Sequence, residues 1–269
     1  MRKTIFITGS TDGIGLETAK SLCALRHDVI LHGRNEEKFL TARSENPELA
    51  NSKFYQADLS KLSEVISLAG ELTVNHPHID VLINNAGVFH TPEPVTSDGF
   101  DVRFIVNVIA PYLLSKNLLP LMPSTGRIIN LSSAAQAPVQ EQALIGQKRL
   151  SANEAYAQSK LGITMWSRQM AEALGDRPAV IAVNPGSFLG TKMVKEGYGM
   201  DGKDISIGSD ALVRLALDET FASQSGRYFD NDIGAFGTPH PDAMDPRKNK
   251  ALIELLDKII IQSIKRKHP

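Results

Sequence analysis

The chain has 269 residues, of which 42% are hydrophobic and 22% are charged, and its formal net charge is −1 at pH 7. This is the composition of an ordinary globular protein with a continuous core. The balance of charge argues against a nucleic-acid partner or a charged membrane surface. The single cysteine, Cys23, excludes an internal disulfide. We expect neither a signal peptide nor a membrane span, because the first strand begins near Thr4 and no uninterrupted run of 18 apolar residues occurs. A cytoplasmic location is therefore expected.

Short apolar runs alternate with helical periodicity along the chain. The predicted strands cover residues 3–8, 28–32, 53–55, 81–84, 127–131, 180–184 and 227–229. The predicted helices cover residues 14–25, 36–44, 62–75, 98–121, 153–174, 210–218 and 246–264.

This alternation predicts an α/β fold, a single doubly wound Rossmann-type domain over residues 1–269. Its parallel sheet should have helices on both faces, because the strands are continuously apolar rather than alternating. In such folds the ligand lies beyond the carboxyl ends of the strands, where the strand order reverses.

A glycine-rich loop follows the first predicted strand and precedes a helix. Its glycines allow a tight turn, and its backbone N–H groups can approach a pyrophosphate at the helix N-terminus. A glycine-rich turn without a ligand is the alternative. The candidate contacts to a dinucleotide are Gly9, Ser10, Thr11, Asp12, Gly13, Ile14 and Gly15.

Tyr156 and Lys160 lie four residues apart on a predicted helix and so share one face. Ser151 and Glu154 form a capping signature at its start. A free tyrosine has a pKa of about 10, and an adjacent lysine cation would lower that value toward neutral pH. Taken alone, the pair favours a surface tyrosine and a solvated lysine at ordinary helical spacing, and only the surrounding motifs reverse this.

Further motifs occur in order over residues 4 to 191. With the spacing Gly-x-x-x-Gly-x-Gly, they make the chain resemble the short-chain dehydrogenase/reductase family, and in particular its retinol-dehydrogenase-like members. They are Asp58-Leu59, the run Asn84-Asn85-Ala86-Gly87, Asn107, Ser132-Ser133, Tyr156-x-x-x-Lys160, Pro185-Gly186 and Thr191.

The resemblance implies catalytic roles. Tyr156 exchanges a proton with the substrate oxygen, Ser133 rather than Ser132 hydrogen-bonds that oxygen, and no metal takes part. Lys160 lowers the pKa of the tyrosine and binds the nicotinamide ribose, and Asn107 helps hold a water that relays protons to Lys160.

The resemblance also implies contacts to an NAD(P) cofactor outside the glycine loop. Asp58 is similar to the aspartate that contacts the adenine. The remaining cofactor contacts implied are Leu59, Asn85, Ala86, Gly87, Tyr156, Lys160, Pro185, Gly186 and Thr191.

The residues after the second predicted strand favour NADP, with NAD as the alternative. No acid follows His32, whereas an NAD site places a carboxylate there to accept from the ribose hydroxyls. Arg34 suits a 2′-phosphate through its charge and forked donors, unless it is only a solvated loop arginine. Asp12 argues against NADP, because many NADP-dependent relatives carry a basic residue at that position.

Two long segments are expected around the substrate. Residues 136–150 separate Ser133 from Tyr156 by more than in many family members and are expected to loop out. Residues 187–208 carry five glycines with interspersed apolar side chains and are a candidate lid. The default substrate is a small apolar ketone, aldehyde or secondary alcohol, and the run Val88-Phe89-His90 is expected to add to the pocket wall.

The resemblance further implies a homo-oligomer, a dimer or tetramer, formed through the helices at 98–121 and 153–174. Two other functions remain open. One is a catalytically silent dinucleotide-binding sensor or scaffold, and the other is a non-redox epimerase or dehydratase on the same fold.

Overall fold

The computed structural model describes residues 1–175 and 177–265. Its strands are β1 (Thr4–Ile7), β2 (Asp28–Gly33), β3 (Lys53–Gln56), β4 (Val81–Asn84), β5 (Arg127–Leu131), β6 (Ala179–Asn184), β7 (Tyr228–Asp230) and β8 (Ala235–Gly237). Its helices are α1 (Gly13–Ala24), α2 (Glu36–Glu45), α3 (Leu62–Asn75), α4 (Val102–Leu121), α5 (Glu141–Leu144), α6 (Ala152–Ala173), α7 (Lys192–Tyr198), α8 (Ser206–Leu217) and α9 (Pro246–Lys265).

The strands form one sheet in the order β3-β2-β1-β4-β5-β6-β7-β8. All neighbours are parallel except β7 and β8, which pair antiparallel. The order reverses between β1 and β4, since the chain builds outward from β1 on one side and then from β4 on the other. The sheet confirms the predicted α/β Rossmann-type fold and places its crevice at the carboxyl ends of β1 and β4.

Successive residues of the central strands enter opposite layers of the core. Phe6 and Leu82 face the layer formed by α3, α4, α6 and α9. Ile5 and Ile83 face the layer formed by α1 and α8. The sheet is thus buried on both faces, as the continuously apolar strands predicted.

Helix α4 begins at Val102, four residues later than predicted, because Asp101 caps it and accepts a hydrogen bond from Arg103 N. Residues Ile105–Ile109 form a π-helical turn within it. In the described part of the chain, α4 is long and apolar enough to cross a membrane, but 72% of its apolar window is buried in the fold. Packing on several sides accounts for that composition.

The C-terminal helix α9 lies against α6 and α4. Its residues Leu252 and Leu256 are buried in the same core layer as those helices, and Asp257 accepts hydrogen bonds from Tyr112 at 3.1 Å and from Lys116 at 2.8 Å. The chain's own C-terminal helix therefore covers part of the surface of the helices that were expected to form a dimer.

The segment at 136–150 does not loop out into solvent. Ala143 and Leu144 on the short helix α5 are buried in the core, and Gln140 N donates to the side chain of Gln158 on α6 at 2.9 Å. The extra residues thus add to the core beside the substrate side of the fold.

The segment at 187–208 contains helix α7, which the glycine content concealed. The side chain of Thr191 caps its start, and Gly199 ends it in the left-handed region with φ 67°. Helix α8 begins at Ser206, earlier than predicted, and strand β8 was not predicted at all.

Candidate active site

The glycine loop after β1 packs directly against the segment after β4. Gly9 has a φ of 64°, and a side chain there would meet the backbone of Ala86 at 2.9 Å. A side chain at Gly15 would lie 2.4 Å from both the Asn85 amide and the Gly9 carbonyl oxygen. Only glycine allows this close approach, which leaves a cradle at the N-terminus of α1.

Asn85 holds the two segments together from one side. Its amide nitrogen donates to the carbonyl oxygens of Thr8 at 2.9 Å and Gly9 at 2.8 Å. The Thr8 hydroxyl in turn accepts from Ala86 N at 3.1 Å. The side chain of Asn85 is therefore a crosslink of the cradle, a more specific assignment than the general cofactor contact expected.

Within the glycine loop, the side chains divide into inward-facing and outward-facing ones. Ser10 is buried, and its hydroxyl donates to Ile7 O at 3.0 Å, so it supports the loop from beneath. Asp12 is outward-facing and caps α1 by accepting from Gly13 N at 2.8 Å. A side chain at Gly13 would lie 3.9 Å from the Thr191 methyl group, which places Thr191 across the cradle.

The end of β2 is open and cationic. Arg34 is exposed, and a side chain at Gly33 would lie 2.9 Å from the Thr11 methyl group. Lys38 on α2 lies with its Nζ 3.9 Å from the Asp12 carboxylate. Two cations, Arg34 and Lys38, thus flank the loop on this side, and Lys38 was not predicted.

Asp58 and Leu59 follow β3 at the same edge of the sheet. The Asp58 carboxylate accepts from Ser60 N at 3.0 Å, so it shapes its own turn. The side chain of Leu59 is buried in the core. Of Leu59, the structure therefore leaves only the main chain as a possible cofactor contact.

The two serines after β5 have different environments. The Ser132 hydroxyl is buried and donates to Lys160 O at 2.8 Å, with the Thr164 hydroxyl at 2.7 Å. The Ser133 side chain instead interacts with the Tyr156 hydroxyl and lowers its pKa. The geometry brings Ser133 to Tyr156 and gives Ser132 a place in the packing between β5 and α6.

Tyr156 and Lys160 share one face of α6, with the Lys160 Nζ 5.5 Å from the centre of the Tyr156 ring. The helix begins with a complete capping box formed by Ser151 and Glu154. Lys160 is 4% exposed, and its Nζ donates to Leu131 O at 2.8 Å.

The electrostatics of this pair differ from the expectation. Burial raises the pKa of Tyr156 to about 12, and the hydrogen bond with Ser133 acts in the opposite direction. Burial lowers the pKa of Lys160 to about 8. The lysine does not depress the tyrosine pKa in this state, since its amine is directed at Leu131 and the loss of solvent dominates at the phenol.

Asn107 lies in the π-helical turn of α4. Its side-chain oxygen accepts from Val88 N at 2.8 Å, and its amide hydrogens go to Val88 O at 3.0 Å and the Ser159 hydroxyl at 2.9 Å. A side chain at Gly87 would lie 3.5 Å from Lys160 Nζ and 3.6 Å from Asn107 Oδ1. The glycine therefore leaves a small space between the lysine and the asparagine oxygen.

The loop after β6 is fixed by a carboxylate that the sequence did not single out. Asp232 accepts from Ser187 N at 2.8 Å and from Asn184 Nδ2 at 2.8 Å. Gly186 has a φ of 127°, and Phe188 has a φ of 56°, so the loop takes conformations that side chains disfavour. The pattern Asp-x-Asp after a short apolar strand is the signal that was available.

His32 is a second residue that sequence reasoning missed. It is the next-to-last residue of β2 and lies beside the glycine loop. It is 3% exposed and accepts a hydrogen bond from Gly9 N at 3.1 Å. A histidine in an otherwise apolar strand that leads to the ligand edge was the available signal. Across residues 1–175 and 177–265, no group of His, Cys, Asp and Glu side chains could hold a metal ion.

Comparison with known proteins identifies the same family as the residues of the site do. A family model for short chain dehydrogenases matches residues 3–200. Retinol dehydrogenase 13 of Mus musculus is 30% identical over 90% of this chain and 79% of that protein. Retinol dehydrogenase 12 of Mus musculus is 32% identical over 84% of this chain and 77% of that protein.

Solved structures agree with these sequence relatives. A protein from Mycobacterium paratuberculosis aligns with a TM-score of 0.77 and 25% identity over 96% of this chain and 93% of that chain. A short chain dehydrogenase from Escherichia coli CFT073, solved with NADPH, aligns with a TM-score of 0.68 and 26% identity over 85% and 96%. The present chain belongs to the short-chain dehydrogenase family, and it is an NAD(P)-dependent oxidoreductase of the retinol-dehydrogenase-like type.

Proposed function

We propose that the chain transfers a hydride between NADP(H) and the carbonyl or alcohol of a small apolar substrate, with Tyr156 as the acid and base. The observation that carries the proposal is the convergence of Ser133, Tyr156 and Lys160 at the carboxyl edge of the sheet, beside the cradle formed by Gly9 and Gly15.

The residues present fit a dinucleotide. The cradle would hold the pyrophosphate, because Gly9 and Gly15 let the loop close on the segment after β4 without intervening side chains and the N-terminus of α1 favours an anion. Thr191 faces Gly13 across it and would contact the nicotinamide end. When bound, the nicotinamide supplies or accepts the hydride.

Charge and packing at the end of β2 support NADP over NAD. The acidic side chain that an NAD site uses would meet the Thr11 methyl group at 2.9 Å if it replaced Gly33. Arg34 is exposed and available for a 2′-phosphate, and Lys38 offsets the charge of Asp12. Relatives solved with NADP or NADPH bound support the same choice.

The protein's own groups handle the proton. With a pKa of about 12, Tyr156 is a neutral phenol at pH 7 and can donate its proton to a developing alkoxide, while Ser133 hydrogen-bonds the same oxygen. The space at Gly87, between Lys160 Nζ and Asn107 Oδ1, is placed to take a water. Asn107 has only acceptor capacity left for that water, because both its amide hydrogens are used.

The substrate side is apolar and aromatic. The Phe89 ring lies 4.8 Å from the Tyr156 ring between centroids, and Tyr198 from α7 stacks on Phe89 at 5.8 Å. Burial of apolar surface would therefore supply most of the binding free energy. The retinol dehydrogenases among the relatives make retinal a reasonable member of any substrate panel.

The proposal is tested by following NADPH consumption with a panel of aldehydes and ketones. The wild type should turn over at least one substrate, and Tyr156→Phe should bind NADPH normally but lose about 10²–10⁴-fold in kcat. NADPH binding without turnover on the whole panel, or with NADP⁺ and alcohols, would favour the silent sensor. Near-native kcat in Tyr156→Phe would refute the role given to the tyrosine.

A further inference from the structure

Phe89 is the side chain that joins the reacting tyrosine to helix α7. It is 3% exposed. Its ring centroid lies 4.8 Å from that of Tyr156 on one side, and it stacks on Tyr198 at 5.8 Å with an interplanar angle of 29° on another. The ring therefore lies packed between the reacting tyrosine and helix α7.

Helix α7 presses on the ring where it carries a glycine. A side chain at Gly197 would lie 2.7 Å from Phe89 Cε1 and 3.2 Å from His90 Cδ2. Such a distance is not tolerated between carbon atoms, so the helix reaches Phe89 only because position 197 has no Cβ. The ring has no room to move outward while α7 is in place.

The backbone of Phe89 is held from behind by a buried ion pair. Arg103 is 3% exposed and Asp101 is 5% exposed. The Arg103 Nη2 lies 2.7 Å from Asp101 Oδ2, and the Nη1 donates to Phe89 O at 3.1 Å. Burying two charges is costly, and this pair is used to fix one carbonyl group of the segment after β4.

Asn107 lies one turn after Arg103 on α4 and holds Val88, the residue before Phe89. Its side chain makes a two-point contact with Val88, accepting from N at 2.8 Å and donating to O at 3.0 Å. Arg103 and Asn107 together leave Val88 and Phe89 little freedom to shift in response to a substrate.

We propose that Phe89 is the specificity-determining residue beside Tyr156 and that Arg103 is the positioning residue that keeps it there. The rigid ring limits the bulk of one carbonyl substituent, so the site favours aldehydes and methyl ketones over ketones with two large substituents. This inference rests on the proposed carbonyl chemistry.

The test uses NADPH with benzaldehyde, acetophenone and butyrophenone, which differ only in the second substituent. For the wild type, kcat/KM should fall along the series, by roughly tenfold or more per added carbon where the pocket is filled. Phe89→Ala should raise kcat/KM for butyrophenone relative to benzaldehyde by at least tenfold, and Phe89→Leu should give an intermediate ratio.

Arg103 is tested in the same assay with a pair of changes, because removing one charge would leave the other buried alone. The double variant Asp101→Asn with Arg103→Gln should shift the butyrophenone to benzaldehyde ratio in the direction of Phe89→Ala. Arg103→Lys, which keeps the charge and a donor, should restore most of the wild-type ratio. Lys116→Gln, which breaks the exposed pair with Asp257 on the same helix, is the control and should leave the ratio unchanged.

The outcomes separate the inference from the function on which it rests. Wild-type turnover with an unchanged ratio in folded Phe89→Ala overturns the role of Phe89 while the proposed function stands. A double variant that loses only kcat, equally for all three substrates, overturns the positioning role of Arg103. No wild-type turnover of any aldehyde or ketone overturns the proposed function itself.

Discussion

The main-chain amide of Gly9 donates a hydrogen bond to Nδ1 of His32 over 3.1 Å, and Nε2 of the same ring lies 3.1 Å from Ala57 O. A neutral ring protonated on Nε2 satisfies both contacts, since Nδ1 must accept from Gly9. Burial lowers the pKa of His32 to about 4. His32 thus links the glycine loop to Ala57, the residue after β3, and it can make both hydrogen bonds only when its ring is neutral.

This contact predicts a pH-dependent stability. Between pH 6.5 and about pH 4 the unfolded chain binds a proton at His32 and the folded chain does not, so stability falls as pH falls through that window. A shift of this size corresponds to about 3 kcal/mol when the pH has reached the lower value. Urea unfolding at pH 7 and pH 5 measures how the free energy of unfolding falls over this range.

The control separates His32 from the acidic groups that also titrate in this range. His32→Gln should lose less stability than the wild type between pH 7 and pH 5, whereas His90→Gln, at an exposed position, should follow the wild type. Parallel curves for His32→Gln and the wild type would contradict the assignment.

The raised pKa of Tyr156 predicts opposite pH dependences for the two directions of the reaction. Reduction needs the protonated phenol, so its kcat/KM should be flat across neutral pH. Oxidation needs the phenolate, so its kcat/KM should rise about tenfold per pH unit until the pKa is reached. Because the hydrogen bond with Ser133 lowers that pKa, Ser133→Ala should move the oxidative profile to higher pH. An oxidative profile already level at pH 7 would show that the bound cofactor lowers the tyrosine pKa far below its value in this state.

The pairing of Lys38 with Asp12 predicts a coupled effect on cofactor preference. Lys38→Ala should lower the kcat/KM ratio of NADPH to NADH, because the uncompensated Asp12 carboxylate would then repel the 2′-phosphate. Arg34→Ala should lower it by about one to two decades, the value of a charge-assisted hydrogen-bond set. Adding Asp12→Asn to Lys38→Ala should restore part of the preference. If Lys38→Ala and Asp12→Asn instead have independent, additive effects on this ratio, the 3.9 Å contact between Lys38 and Asp12 does not influence cofactor preference in solution.

The fold and the central motifs were predictable because they depend on local patterns. Apolar runs of strand length identify β1 to β7, and the spacing of Tyr156 and Lys160 places them on one face of a helix whatever surrounds it. The cap formed by Ser151 and Glu154 is equally local.

The remaining features depend on contacts between segments far apart in sequence. Ser10 and Leu59 lie within cofactor motifs, yet tertiary packing turns their side chains inward. The covering of α4 by Asp257 and its helix has no local signature, and neither does the burial of Arg103 with Asp101. Helix α7 was missed because its glycines resemble those of a loop, although Gly197 is required by Phe89.

The segment 187–208 predicts a lid whose base is fixed and whose tip moves. Gly190 N donates to Lys203 O and Lys203 N donates to Phe188 O, both at 2.6 Å, so these two amides form a strap across the base. Beyond it, Tyr198 is 51% exposed and Met200 is 47% exposed, and a hydrophobic substrate would give them apolar surface to cover. Hydrogen exchange should therefore find the Gly190 and Lys203 amides protected with or without ligands. Amides from 193 to 202 should exchange quickly in the free protein and slowly in the ternary complex with NADP⁺ and an alcohol. Equal protection of those amides in both states would contradict the lid. Helix α7 would then be a rigid part of the pocket wall, and it would keep Phe89 covered while substrates enter.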